Sequence, residues 1–211
     1  MHGRVTKGQD KAINSHGDKY IVPSQTEWKL DLIFARKAKI ILDIGFGAGE
    51  TLIALAQNNP EKNILGIEVH KPGIGALIYK ANKLNITNIK IIQEDAEVIL
   101  NGLKVKNQFE AIILFFPDPW PKRKHNKRRL IKEDFINLLE RVIEKEGFFV
   151  CKTDWENYKL DILTLFNKNK SWKRCFLSDV PKNINYLPET NFDRKARLSG
   201  RKSSFIIFQK I

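Results

Sequence analysis

Several things that a 211-residue chain could carry are scarce or missing here. There are only two cysteines, Cys151 and Cys175, far apart in sequence and in no CxxC pair. None of the four histidines stands at metal-ligand spacing with another. These absences predict two reduced thiols in or near the core and no bound metal. No apolar run is long enough to span a bilayer. Residues 1–20 are polar and charged, without the apolar centre of a signal peptide. A cytoplasmic protein without a membrane partner is expected. Acidic residues are also in short supply: 24 Asp and Glu face 37 Lys and Arg, for a net charge of +13. A chain this basic is built to meet a polyanion. A membrane surface would be the competing partner, but no basic amphipathic helix with a strong apolar face is visible. Nucleic acid is therefore the expected partner.

Hydrophobic residues make up 42% of the chain, enough for one core at this length. Residues 1–24 lack periodicity and read as a flexible basic arm; residues 25–211 read as a single domain. Within it, apolar runs at 39–44, 63–68, 89–93, 110–116, 147–152, 172–177 and 203–210 predict seven strands. Helical spacing is expected at 25–37, 50–58, 72–84, 130–145 and 155–169, and 178–202 reads as a polar loop. Strands alternating with helices imply an α/β fold: a mostly parallel sheet with helices on both faces. Such sheets bind ligands beyond the carboxyl ends of their strands, so the residues just after each strand matter most.

After the first strand comes Asp43-Ile-Gly-Phe-Gly-Ala-Gly49. Gly45, Gly47 and Gly49 allow a tight turn and a close approach of backbone to ligand, next to a helix N-terminus. Asp43 can face an amine or a ribose hydroxyl. The spacing is GxGxG, not the GxGxxG of dinucleotide sites, which disfavours an NAD-dependent oxidoreductase. After the second strand, Glu68 can accept hydrogen bonds from both hydroxyls of a ribose. After the third, Asp95 either meets an adenine amino group or caps the next helix. Three sites at successive strand ends together resemble the S-adenosylmethionine pocket of Rossmann-like methyltransferases.

The fourth strand ends in Phe-Phe-Pro-Asp118-Pro-Trp120-Pro, followed by Lys122, Arg123, Lys124, His125, Asn126, Lys127, Arg128 and Arg129. Two prolines stiffen the loop around the Asp118 carboxylate. Trp120 adds a stacking surface, and six of the eight residues from 122 to 129 are Lys or Arg. A fixed carboxylate beside an aromatic beside a cationic run suits a nucleobase joined to its phosphates. After the fifth strand, Asp154 either faces the substrate or caps the following helix. Thr190-Asn-Phe-Asp193 lies in the late polar stretch.

In this order DIGFGAGE, GIEVH, EDA, FFPDPWPKRKHNKRR, TDW and TNFD resemble the bacterial tRNA guanine-N7 methyltransferase family over residues 40–210. Gly3-Arg-Val-Thr6 with Gln9 resembles that family's basic N-terminal arm. The resemblance implies a class I S-adenosyl-L-methionine-dependent fold, with cofactor contacts from Asp43, Glu68, Asp95 and Asp118. It implies substrate contacts from Lys122, Asp154, Thr190, Asn191, Phe192 and Asp193, and RNA contacts from Lys124, His125, Asn126, Lys127, Arg128 and Arg129. The implied target is the guanine at tRNA position 46, with Asp118 as first candidate for the catalytic carboxylate. Two positions depart from the family habit: Asp193 and Asp43 stand where relatives often have Glu. Two other readings compete. One is a methyltransferase acting on an exocyclic amino group, disfavoured because no adjacent prolines follow Asp118. The other is a non-catalytic RNA-binding module, disfavoured by the intact carboxylates.

Overall fold

The computed structural model describes residues 4–23, 30–103 and 106–211. Gly3, and Trp28 with the start of the helix expected at 25–37, lie outside the described residues. Five strands run parallel: β1 (Ile40–Ile44), β2 (Asn63–Ile67), β3 (Ile89–Ile92), β4 (Phe109–Phe115) and β5 (Ile143–Thr153). β6 (Trp172–Cys175) and β7 (Ser204–Lys210) complete a seven-stranded sheet in the order β3-β2-β1-β4-β5-β7-β6, with β7 antiparallel to both its neighbours. Strand order reverses between β1 and β4, so the loops that follow these two strands face each other across the switch point.

Both faces of the sheet are covered, which is why β1 is buried at every position. On one face Ile40, Leu42 and Ile44 join a core with α5 (Ala96–Gly102), α6 (Glu133–Val142) and α7 (Glu156–Lys168). Ile41 points the other way, into a core with α3 (Glu50–Asn58) and α4 (Lys71–Lys83). The period of two along the strand divides the residues between the two cores.

Three expectations need correction. The arm expected at 1–24 is, from Lys7 to Tyr20, a helix (α1) with a Thr6–Gln9 capping box. It packs on α4 so closely that a Cβ on Gly75 would stand 2.7 Å from Gln9 Cβ. Tyr20 is fully buried and donates its hydroxyl hydrogen to the Ile86 carbonyl at 2.9 Å. The buried positions of α1 are Ala12, Gly17 and Tyr20, mostly small residues, so the contact leaves no apolar stripe. The helix expected at 25–37 is, among the described residues, a single turn (α2, Leu30–Ile33). Ala35 at φ 51° ends it, because a left-handed residue cannot continue a right-handed helix. The polar stretch 178–202 holds two short helices, α8 (Lys182–Asn185) and α9 (Asn191–Leu198). α9 is started by a capping box in which Thr190 and Asp193 satisfy each other's backbone amides.

Candidate active site

The glycine loop after β1 is shaped by backbone that only glycine adopts at low cost. Gly45, Gly47 and Gly49 have φ of 67°, 56° and 80°. The loop is tied to the end of β2: the Gly45 N–H donates to the Ile67 carbonyl at 2.8 Å, and the Gly47 N–H to Glu68 Oε2 at 2.9 Å. The first turn of α4 abuts the loop, and a Cβ on Gly73 would sit 2.3 Å from the Gly47 carbonyl oxygen. Gly73 is thus a fourth obligatory glycine, hidden in sequence because its constraint comes from a loop 26 positions earlier.

Asp43 and Glu68 meet at this loop. Asp43 is 1% exposed, and its Oδ2 is buried without a hydrogen-bond partner among the described residues. Burial pushes its carboxyl well above the usual range, and the nearby Glu68 charge adds to the shift. A buried, unsatisfied carboxylate oxygen is costly; it asks for a donor from a ligand. Glu68 is 6% exposed and also accepts from the amides of Val69 (2.8 Å) and His70 (3.0 Å) through Oε1. These bonds fix the orientation of the carboxylate. Asp95 fills the capping role. It is exposed and caps α5, its Oδ1 accepting from the amides of Glu97 and Val98.

Across the switch point, the loop after β4 is bent at both ends. Phe116 and Trp120 hold φ of 52° and 42°, positions that cost bulky residues about 1–3 kcal/mol each and persist only when neighbours impose them. The Phe116 amide donates to the Lys152 carbonyl at 2.7 Å, and its ring stacks on Phe192 at 5.6 Å. Asp118, between its two prolines, is exposed, and its carboxylate has no partner among the described residues. The basic run is a 3-10 helix from Arg123 to Arg128, preceded by the exposed Lys122. Lys124, Lys127 and Arg128 are exposed, and Arg128 lies over the Trp120 ring at 4.8 Å. His125 meets the same ring edge-on, and Asn126 buries its Oδ1.

Arg129, expected to contact RNA, is the buried exception in this run. It is 4% exposed and faces inward. Its Nε donates to the Pro119 carbonyl at 2.9 Å and its Nη1 to Asn157 Oδ1 at 3.1 Å, while it pairs with Asp161 and lies over the Tyr158 ring.

At the end of β5, Asp154 does not cap α7; its Oδ2 accepts from Arg201 Nε at 2.7 Å. Thr190, Asn191 and Phe192 lie beside the glycine loop, where they line a cavity of about 170 Å3 with Asp43, Gly47 and Phe116. Asn191 holds Glu50 of α3 at 2.7 Å. Asp193 lines a different cavity, of about 450 Å3, with Arg197, Arg201 and Lys202. Its carboxylate accepts from Thr190 N–H and Oγ1 at 3.0 and 2.8 Å and pairs with Lys152 at 2.5 Å. Burial alone would raise the Asp193 carboxyl, but the Lys152 ammonium and the Thr190 bonds outweigh it and hold it below the usual range.

A family model described as "Putative methyltransferase" matches residues 37–205. A tRNA (guanine-N(7)-)-methyltransferase of Paraburkholderia xenovorans is 36% identical over 211 residues, covering 99% of this chain and 80% of that protein. One from Shewanella frigidimarina is 37% identical over 213 residues, covering 99% and 88%. The chain belongs to the tRNA (guanine-N(7)-)-methyltransferase family. The solved structure of the 16S rRNA methyltransferase KamB shares the fold, with a TM-score of 0.58 at 12% identity over 85% of this chain and 91% of that one.

The shorter Asp193 is spent on the α9 cap and on Lys152, behind the segment that touches the glycine loop. Lys152 itself was not singled out in sequence. Its one signal is that it ends the apolar run Phe148-Phe-Val-Cys151 with a charge. It lies near the rings of Phe115, Phe116 and Phe205. Among the described residues no group of three or more His, Cys, Asp or Glu could hold a metal, and no helix is long and apolar enough to cross a membrane.

Proposed function

We infer that this chain transfers a methyl group from S-adenosyl-L-methionine to N7 of a guanine in tRNA, the variable-loop guanine at position 46. The observation that carries the reading is the facing of two loops across the β1/β4 switch point. One presents an unpartnered buried carboxylate oxygen on a glycine turn; the other presents the open Asp118 between two prolines.

The residues present fit the cofactor. Asp43 Oδ2 needs a donor, which an amine or hydroxyl supplies; Glu68 offers a pre-oriented carboxylate to a ribose; and Gly45, Gly47 and Gly49 keep side chains out of the way. When bound, S-adenosyl-L-methionine supplies an electrophilic methyl group on a sulfonium.

Guanine N7 carries a lone pair and no proton. No general base is required, and the protein's contribution is alignment and charge. In this reading the exposed Asp118 accepts hydrogen bonds from the pairing edge of the guanine and stabilises the positive charge that methylation leaves on the ring. Lys122 and the exposed Lys124, Lys127 and Arg128 present cations to the phosphates. Arg201, held by Asp154, and Lys202 line the second cavity with further positive charge.

The test is methyl transfer from labelled S-adenosyl-L-methionine to bulk tRNA, with nucleoside analysis of the product. Label in 7-methylguanosine, lost from a transcript whose guanine 46 is replaced by adenine, is the expected result. Label in a methylated adenine or cytosine overturns the target atom. Binding of cofactor without transfer to any tRNA overturns the activity.

A further inference from the structure

Arg129 ends the most basic segment of the chain, yet it is the one buried member of that run. Its guanidinium joins the loop after β4 to α7. Nε holds the carbonyl of Pro119, the residue after Asp118; Nη1 holds Asn157 and pairs with Asp161, both on α7; and the group lies over Tyr158, 4.7 Å from the ring centroid. Tyr158 in turn accepts the Ile131 N–H at 3.1 Å, on the segment leading into α6. The loop that Arg129 grips is the strained one, with left-handed residues at Phe116 and Trp120 on either side of Pro117-Asp118-Pro119. Strain of this kind survives only where contacts outside the loop impose it. At the Phe116 end that contact is the Lys152 carbonyl; at the Pro119 end it is Arg129.

We propose that Arg129 is a positioning residue for methyl transfer: it clasps the loop after β4 to α7 and so fixes Asp118 over the reacting base, and it makes no contact with RNA. The proposal rests on the reading of Asp118 given above. A planar fork is needed because one group must serve the Pro119 carbonyl and the two side chains of α7 at once; a lysine keeps the charge but has no fork.

The experiment compares the full-length parent with Arg129→Lys, Asp161→Asn, Lys124→Ala and Asp118→Asn, each assayed well below its own melting temperature. Three quantities are read: kcat on a tRNA transcript, KM for tRNA, and the salt dependence of tRNA binding. Asp161 is half exposed, so its replacement loosens the clasp in a folded protein even if Arg129→Lys does not fold. Loss of alignment predicts that Arg129→Lys lowers kcat by about 10–100-fold, with Asp161→Asn smaller in the same direction. The salt slope stays that of the parent, while Lys124→Ala flattens it by about 0.7–0.9. A slope that flattens equally in Arg129→Lys with kcat retained restores the RNA contact and overturns the proposal. A lowered melting temperature with unchanged kcat in both clasp variants reduces Arg129 to a structural residue and also overturns it. Asp118→Asn separates the two readings. If it turns over normally while Arg129→Lys is slow, the clasp stands and the role of Asp118 falls; if it is inactive while both clasp variants are normal, only the clasp falls.

Discussion

The two halves of the site are built differently. At the ends of β1 and β2 the candidate groups are held by backbone: amides of Gly47, Val69 and His70 on Glu68, and glycine dihedrals in the loop. At the ends of β4 and β5 they are held by side chains: Arg201 on Asp154, Lys152 on Asp193 and Arg129 on the Pro119 carbonyl. A cofactor is the same in every turnover, and a pocket fixed by local backbone suits it. A folded RNA must dock and leave, and a surface whose cations already have partners, or lie open, suits that instead.

The comparison is sharpened most by Asp118→Asn, which leaves the backbone-held half untouched. It is expected to lower kcat by about 10²–10³-fold while cofactor affinity on the purified protein stays within a factor of a few. A parallel loss of cofactor affinity would place Asp118 in the first half of the site and break the division.

Asp43→Asn tests the first half. Removing a charged acceptor is expected to weaken cofactor binding by about 10–100-fold, the equivalent of about 1.5–3 kcal/mol. It also carries a pH signature with a definite sign. The folded-state carboxyl lies well above its free value, so the parent keeps its full stability below the free pKa and loses stability as pH rises through the folded pKa. The ligand-free variant should therefore melt higher than the parent at neutral and alkaline pH, with the gap closing below about pH 4. Equal melting temperatures across that range would mean that Asp43 has a partner in solution.

Neutralising Lys124, Lys127 and Arg128 together should flatten the salt dependence of tRNA binding by about two and leave cofactor affinity unchanged. An unchanged slope would move the RNA to the face around Arg201 and Lys202. The smallest effect is expected from Asp193→Asn, which removes the acceptor of Lys152 and weakens the α9 cap at a cost of about 1–3 kcal/mol. The depressed Asp193 carboxyl stabilises the fold above the free pKa, and that contribution disappears as pH falls through the lower value. Thermal melts of parent and variant should thus differ at pH 7 and converge in acid. A constant difference would assign the loss to the cap alone.

Much of this was readable residue by residue. The seven strands along the chain, the glycine turn, Asp43, Glu68 and the position of the basic run follow from local patterns, because a parallel strand buried on both faces must be a short apolar run and a tight turn must carry glycine. The family resemblance rests on those same segments. α1 was not readable, since small residues pack it and Gly75, 66 positions after Gln9, admits it. Nor was the Asn191–Glu50 bond, which joins residues 141 positions apart.

By itself, then, the sequence determined which chemistry stands at each strand end: carboxylates, glycines, a proline-braced aspartate and a dense positive charge. Only the tertiary structure decided which of these groups remain open to a ligand. The six Lys and Arg among residues 122–129 look equivalent along the chain. Once β4, α7 and the 3-10 helix pack together, Arg129 turns inward while Lys124, Lys127 and Arg128 stay in solvent. Asp193 likewise turns to Lys152 and its own helix, and Asp43 is left with a bare oxygen. A side chain's type is local, but the partner that satisfies or frees it comes from elsewhere in the chain.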